Sequence, residues 1–137
     1  MMIPNNIRLE MIRLAQKDRP VETCGYLAGQ GDEVQVIIPM TNVDQSPEHF
    51  SFDPREQFQA LKTARKQGLE LIGVYHSHPA SPARLSAEDL RLANDPGLIY
   101  VIVSLAGPEP VIKAFRVDSG NISEVSISTM EGAVYEQ

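Results

Sequence analysis

The segment Leu-Glu-Leu-Ile-Gly-Val-Tyr-His-Ser-His-Pro, from Leu69 to Pro79, constrains the fold more than any other stretch of the chain. Gly68 precedes it and Pro79 closes it, so Leu69 to Tyr75 reads as a strand that leads straight into His76-Ser77-His78. Residues two apart on an extended chain point to the same side. His76 and His78 therefore project together at the end of the strand. A strand cannot stand alone in water, so the other segments must supply its partners and its covers.

Those segments are legible. Ile7, Met11, Leu14 and Ala15 recur at helical spacing and give a first amphipathic helix, ended by Pro20. Cys24 to Gly29 reads as a buried strand, and Glu33 to Ile38 as its hairpin partner across Gln30-Gly31-Asp32. Thr41 to Phe52 shows no clean period and is expected to be loop or irregular strand. Asp53-Pro54-Arg55-Glu56 then starts a second helix: Asp53 caps, Pro54 suits the first position, and Glu56 is placed to close a capping box. Phe58, Leu61 and Ala64 form its apolar stripe, and Gly68 ends it. Ser86 opens a third helix that ends by Asn94. Strands are expected over Leu98–Ser104, Val111–Val117 and Ile122–Ser128, with a loosely held tail beyond Met130. The pattern predicts one α/β domain over 1–137, its helices packed on a mixed or largely antiparallel sheet.

Charge and composition narrow the function. The net charge is -6, and Lys and Arg are scattered, so the basic footprint of a nucleic-acid binder is absent. No apolar run approaches the roughly 20 residues of a membrane-spanning helix. The start, Met-Met-Ile-Pro-Asn-Asn, has neither the basic nor the apolar part of a secretory signal, so cytoplasmic residence is expected. The single cysteine, Cys24, excludes an internal disulfide and thiolate-rich zinc sites. It reads as a small core residue rather than a nucleophile. Any metal must be held by imidazole and carboxylate, and the chain has three histidines: His49, His76 and His78.

A catalytic zinc typically takes three protein ligands and leaves a fourth position open. Asp89, in the first turn of the third helix, is the best third ligand, since the short loop after Pro79 can fold that turn back over the histidines. An HxH pair by itself also describes surface or packing histidines. Ser86-Ala87-Glu88-Asp89 also reads as a capping box, a use that competes with a metal for the Asp89 carboxylate. Glu22 separates the readings. It immediately precedes a buried strand, where a carboxylate is costly unless solvated or paired. Beside a metal-activated water it could take a proton and deliver it to a leaving amine.

Taken together, Glu22, His76-Ser77-His78, Ser86 and Asp89 resemble the JAMM (MPN-plus) metallopeptidases. Their motif is an upstream Glu, then H-[ST]-H, seven residues, Ser, two residues and Asp. Pro79 to Leu85 fill the seven places, and Ala87 and Glu88 the two. Pro20-Val21-Glu22-Thr23-Cys24-Gly25-Tyr26-Leu27 is similar to the family's first-strand entrance. The resemblance implies a curved β-sheet sandwiched by helices, similar in outline to zinc deaminases. It implies Zn2+ held by His76, His78 and Asp89, with Glu22 as general base and Ser86 helping to stabilise an oxyanion. It implies hydrolysis of a peptide or isopeptide bond after the C-terminal Gly-Gly of a ubiquitin-like protein. The compact chain has little room for the inserted segments of eukaryotic deubiquitinating members. It looks more like the short stand-alone prokaryotic type, whose relatives process ubiquitin-like sulfur-carrier proteins. The Thr41–Phe52 loop, with His49, is a candidate contact surface for such a carrier. Two other classes are weighed: a non-catalytic scaffold module, which usually loses a ligand, and a zinc deaminase, whose signature needs more cysteines than one.

Overall fold

The computed structural model describes residues 1–129. Six strands form one open mixed sheet: β1 (Cys24–Gln30), β2 (Glu33–Met40), β3 (Glu70–His78), β4 (Ile99–Ser104), β5 (Val111–Asp118) and β6 (Asn121–Val125). Their spatial order is β2-β1-β3-β4-β5-β6. β3 and β4 run parallel, and every other neighbouring pair is antiparallel. Three helices complete the described residues: α1 (Asn5–Asp18), α2 (Pro54–Lys66) and α3 (Ala87–Leu92). The expected α/β sandwich is therefore what forms. None of the described helices is long and apolar enough to cross a membrane.

Strand alternation assigns the two faces. On one face Ile7, Met11 and Ala15 of α1 pack with Leu27, Tyr75, Val101 and Val103. On the other, Tyr26, Val74 and Tyr100 pack with Ala60 of α2 and Ala93, just past α3. The central strands β1, β3 and β4 are buried along most of their length, which suits their near-continuous apolar sequences. His76 and His78 share the face of Val74, beneath α3. The sheet thus delivers both imidazoles to the same layer as the third helix.

Some boundaries differ from the sequence reading. β3 continues through both histidines, because its neighbours still offer partners there: Cys24 pairs with His76, and His78 with Ser104. β2 runs on to Met40. β6 stops at Val125, and Ser128 forms only an isolated bridge with Met2. Thr41 to Phe52 contains no regular element. Asp53 caps α2 as expected, accepting from the Arg55 amide at 2.7 Å. Glu56 does not close the capping box. Its carboxylate instead accepts from the Thr41 amide (2.9 Å) and hydroxyl (2.8 Å), which ties the loop to the helix. A tertiary partner with two donors outcompetes the local one. The tail beyond Met130 lies outside the described residues.

Gly25 lets β1, β2 and β3 approach closely just beyond the strand entrance. A Cβ there would collide with the Ile38 carbonyl and the Tyr75 ring. Gly25→Ala is expected to lower stability by about 1–3 kcal/mol, the usual cost of overpacking, as read from urea unfolding midpoints. An unchanged midpoint would refute this packing account.

Candidate active site

Hydrogen bonds extend the β1–β3 pairing back beyond the start of β1. The Ser77 amide donates to the Thr23 carbonyl at 3.0 Å, and the Thr23 amide donates to Ser77 Oγ at 2.8 Å. Carrying the register one residue further sets Glu22 opposite His78. The Glu22 backbone is fixed on its other side, donating to the Ser46 carbonyl at 2.9 Å and accepting from Asn42 Nδ2 at 3.1 Å. Asn42 also donates to the His49 carbonyl. Glu22 is 2% exposed, and its Oε1 has no hydrogen-bond partner in the protein.

α3 brings the carboxylate. Asp89 Oδ1 lies 3.2 Å from His76 Nε2 and Oδ2 lies 3.0 Å from His78 Nε2. The two Nε2 atoms are 3.2 Å apart. Oδ2 also accepts from the Ser86 amide at 2.9 Å, while Ser86 Oγ accepts from the Asp89 amide at 3.0 Å. The capping box and the cluster coexist. A carboxylate oxygen has lone pairs for both, so the expected competition for Asp89 does not arise.

The electrostatics follow from burial and these contacts. Burial pushes the Asp89 carboxyl upward, but hydrogen bonds from His76 and His78 outweigh it and hold the group well below the usual carboxylate range. Burial lowers His76, and its hydrogen bond to Asp89 only partly offsets this. For His78 burial acts in the same direction, yet hydrogen bonds to Asp89 and the Pro82 carbonyl raise it overall. Burial drives Glu22 up to about 8, helped by the negative charges of Asp89 and Glu48 and opposed by His78. Cys24 is buried and its thiol is pushed up to about 12, chiefly by burial. That thiol is a core group with no nucleophilic character at neutral pH.

The donor set fits a zinc ion. His76, His78 and Asp89 are all buried and offer ligand atoms within 4.8 Å of one another. Ligands at zinc distances of about 2.0–2.1 Å in a tetrahedron stand about 3.3 Å apart, close to the separations here. His78 Nδ1 lies 2.8 Å from the Pro82 carbonyl, which can only accept. The Nδ1 proton points there, so Nε2 is the nitrogen available to a metal. Phe50 stacks on His76 at 4.8 Å between ring centroids, holding the second imidazole from its side.

A cleft of about 360 Å³ opens beside the cluster, lined by Glu22, Pro47, Glu48, His78, Ser81 and Ser86 among others. Opposite it, Phe50, Leu85, Leu92 and Tyr100 enclose a small apolar hollow against His76 and Asp89. The structure therefore brings together Glu22, His76, His78, Ser86 and Asp89. His49 stands apart, its Nδ1 2.8 Å from Asp44 Oδ2 within the loop. Sequence reasoning missed Phe50, Asn42 and Pro82. Two phenylalanines in an otherwise polar loop signalled that Phe50 packs on something. Pro82 acts through its carbonyl, which leaves no side-chain signal.

Comparison with known proteins gives the family. A CysO-cysteine peptidase of Mycobacterium tuberculosis is 33% identical over 124 residues, covering 88% of this chain and 85% of the relative. A desampylase of Haloferax volcanii is 38% identical over 117 residues, covering 83% and 82%. The solution structure of a Desulfitobacterium hafniense protein superposes with a TM-score of 0.87 at 47% identity, over 95% of this chain and 92% of that one. Residues 4–118 match the family described as prokaryotic homologs of the JAB domain, and the chain belongs to that family.

Proposed function

We propose that this chain is a zinc peptidase that hydrolyses the amide bond joining the C-terminal glycine of a ubiquitin-like or sulfur-carrier protein to an amine. His76, His78 and Asp89 hold the metal, Glu22 is the general base, and Ser86 assists the oxyanion. One observation carries the reading: a buried glutamate with an unpartnered oxygen stands opposite His78, and both line the same cleft beside the three-residue cluster. The names of the relatives, a CysO-cysteine peptidase and a desampylase, support the substrate class. A scaffold role would not require the entire ligand set to stay buried and convergent.

A zinc ion held by His76, His78 and Asp89 would supply Lewis acidity, polarising a carbonyl and lowering the pKa of a water. Glu22 is placed to take a proton from the attacking water as the water oxygen adds to the scissile carbonyl carbon. Its raised proton affinity suits a group that must hold the proton until the next step. The Ser86 hydroxyl accepts from the Asp89 amide, so its own proton is free to be donated to the developing oxyanion. Glu22 then passes its proton to the departing nitrogen, the C–N bond breaks, and a carboxylate and an amine leave. Asp89 and the Pro82 carbonyl keep the imidazoles oriented throughout.

Three outcomes test this. Glu22→Gln should lower kcat on a carrier–lysine isopeptide by about 10²–10⁴-fold while zinc content stays at the wild-type level. Full activity in that variant removes Glu22 from the mechanism. Dialysis against a chelator should abolish hydrolysis and added zinc restore it, whereas Asp89→Ala should neither retain zinc nor recover. Mass spectrometry of the metal and single-turnover assays read both. The third outcome concerns the metal-free protein. Glu22 titrates at about 8 when folded and near ~4.3 when unfolded, so the folded state binds the extra proton between those values. The stability it contributes is full below the lower value and is lost as pH rises through about 8. Glu22→Gln should therefore gain roughly 5 kcal/mol over wild type at pH 9 relative to pH 4, measured by urea unfolding. Parallel pH profiles for the two proteins would contradict the buried-carboxyl account.

A further inference from the structure

The outward face of α2 has an unusual charge pattern. Ala60 and Ala64 bury the inward side of this helix. Arg55, Phe58, Gln59, Lys62 and Lys66 recur at three- and four-residue spacing on the opposite side, with Arg65 on its flank, and all are exposed. The face carries four cations and no acid, in a chain whose net charge is -6. Glu56, the helix's one acidic residue, is turned away onto Thr41. None of the four cations forms an ion pair among the described residues.

An ordinary solvated helix face mixes signs, because like charges four apart, such as Lys62 and Lys66, cost a few tenths of a kcal/mol. Here the repulsion stands uncompensated. In the middle of the face sits Phe58, 61% exposed, with Lys62 Nζ 5.4 Å from its ring centroid. An open groove of about 470 Å³ runs beside it along Gln59, Lys62, Thr63, Arg65 and Lys66. An exposed aromatic framed by unpaired cations is the composition of a protein-recognition patch, in which the aromatic anchors and the charges steer.

The inward side of the same helix is joined to the histidine cluster. Gln57 of α2 donates to the Tyr26 hydroxyl at 3.1 Å, Tyr26 packs on Phe52, Phe52 on Phe50, and Phe50 on His76. Ala60 packs with Tyr26 and Val74, and Ala64 with Ala28 and Leu69. The N-terminal turns of α2 therefore lie toward the site end of the sheet, and its C-terminal turns point away. At about 1.5 Å per residue, the 13-residue helix is roughly 20 Å long. An extended tail of about six residues covers that distance.

We infer that the outward face of α2, Phe58 ringed by Arg55, Lys62, Arg65 and Lys66, docks the folded body of the carrier protein through an acidic surface bearing an apolar patch. The carrier's extended C-terminal tail then runs to the cleft. This inference rests on the reading that the chain acts on such a carrier. A nucleic acid is the other polyanion to consider, but the net negative charge of the whole molecule opposes it.

The test uses the full chain, loaded with zinc, and the CysO protein with its free C-terminal tail as the probe. Calorimetric titration should show binding that weakens with added salt. Lys62→Glu combined with Lys66→Glu should weaken it at least tenfold, and Phe58→Ala several-fold. Zinc content and cleavage of a short Gly-Gly–lysine isopeptide, which lacks a folded body, should remain at wild-type levels and show that the variants are folded. Equal affinity of wild type and the charge-reversed variant overturns the inference. So does failure of wild type to bind CysO, or binding of a duplex DNA oligonucleotide in its place. Binding of CysO that depends on Lys62 and Lys66, with no cleavage of any CysO conjugate, sustains this docking surface while defeating the hydrolase reading.

Discussion

The clasp between Thr23 and Ser77 is the contact on which the rest of the site depends. Two hydrogen bonds carry the antiparallel pairing back beyond the start of β1, and the continued register sets Glu22 across from His78. Ser77 lies between the two imidazoles in sequence but points to the opposite face of the sheet. Its hydroxyl is thus free to fix the Glu22 segment while its neighbours join the cluster. A side chain at that position must be small, buried and able to accept a hydrogen bond, which explains a hydroxyl residue between the histidines. The position has no need to touch a metal to be essential to its surroundings.

Burying His76, His78, Asp89 and Glu22 together would be prohibitive without internal compensation. Asp89 provides much of it. Its two oxygens meet both imidazoles and the Ser86 amide, so one charge satisfies four groups counting its own. Glu22 has no such company, and its charged form is disfavoured until a positive charge arrives nearby. Burial and neighbours thus push the two carboxyl groups apart, Asp89 toward its ionised form and Glu22 toward higher proton affinity. Their environments separate them, although both are buried acids within one small volume.

Most of the architecture could be read from periodicity because the elements are locally consistent. Ile7, Met11, Leu14 and Ala15 lie where a helical stripe demands, and all are buried. The histidine pair and Asp89 were legible for the same reason: strand alternation and helix capping are short-range rules. The errors arose where a distant partner won. β3 outran its apolar run because Cys24 and Ser104 were waiting on either side. Glu56 abandoned its own helix terminus for Thr41. The Asn42 bridge, the Phe50 stack and the Pro82 acceptor all depend on how a loop without period folds over the sheet, and such information is spread over tertiary contacts rather than spacing.

α3 is only six residues long, well below the length at which a helix holds itself together in water. Its first turn is secured by the Ser86–Asp89 box, and the same Asp89 oxygen faces His78. Order in this short segment and binding of a cation at the cluster would thus be two ends of one equilibrium. A cation drawn in at the imidazoles would tighten the helix, and fraying of the helix would release the cation. Its brevity makes the segment a built-in reporter, whose amide protection should rise and fall with the state of the site beneath it.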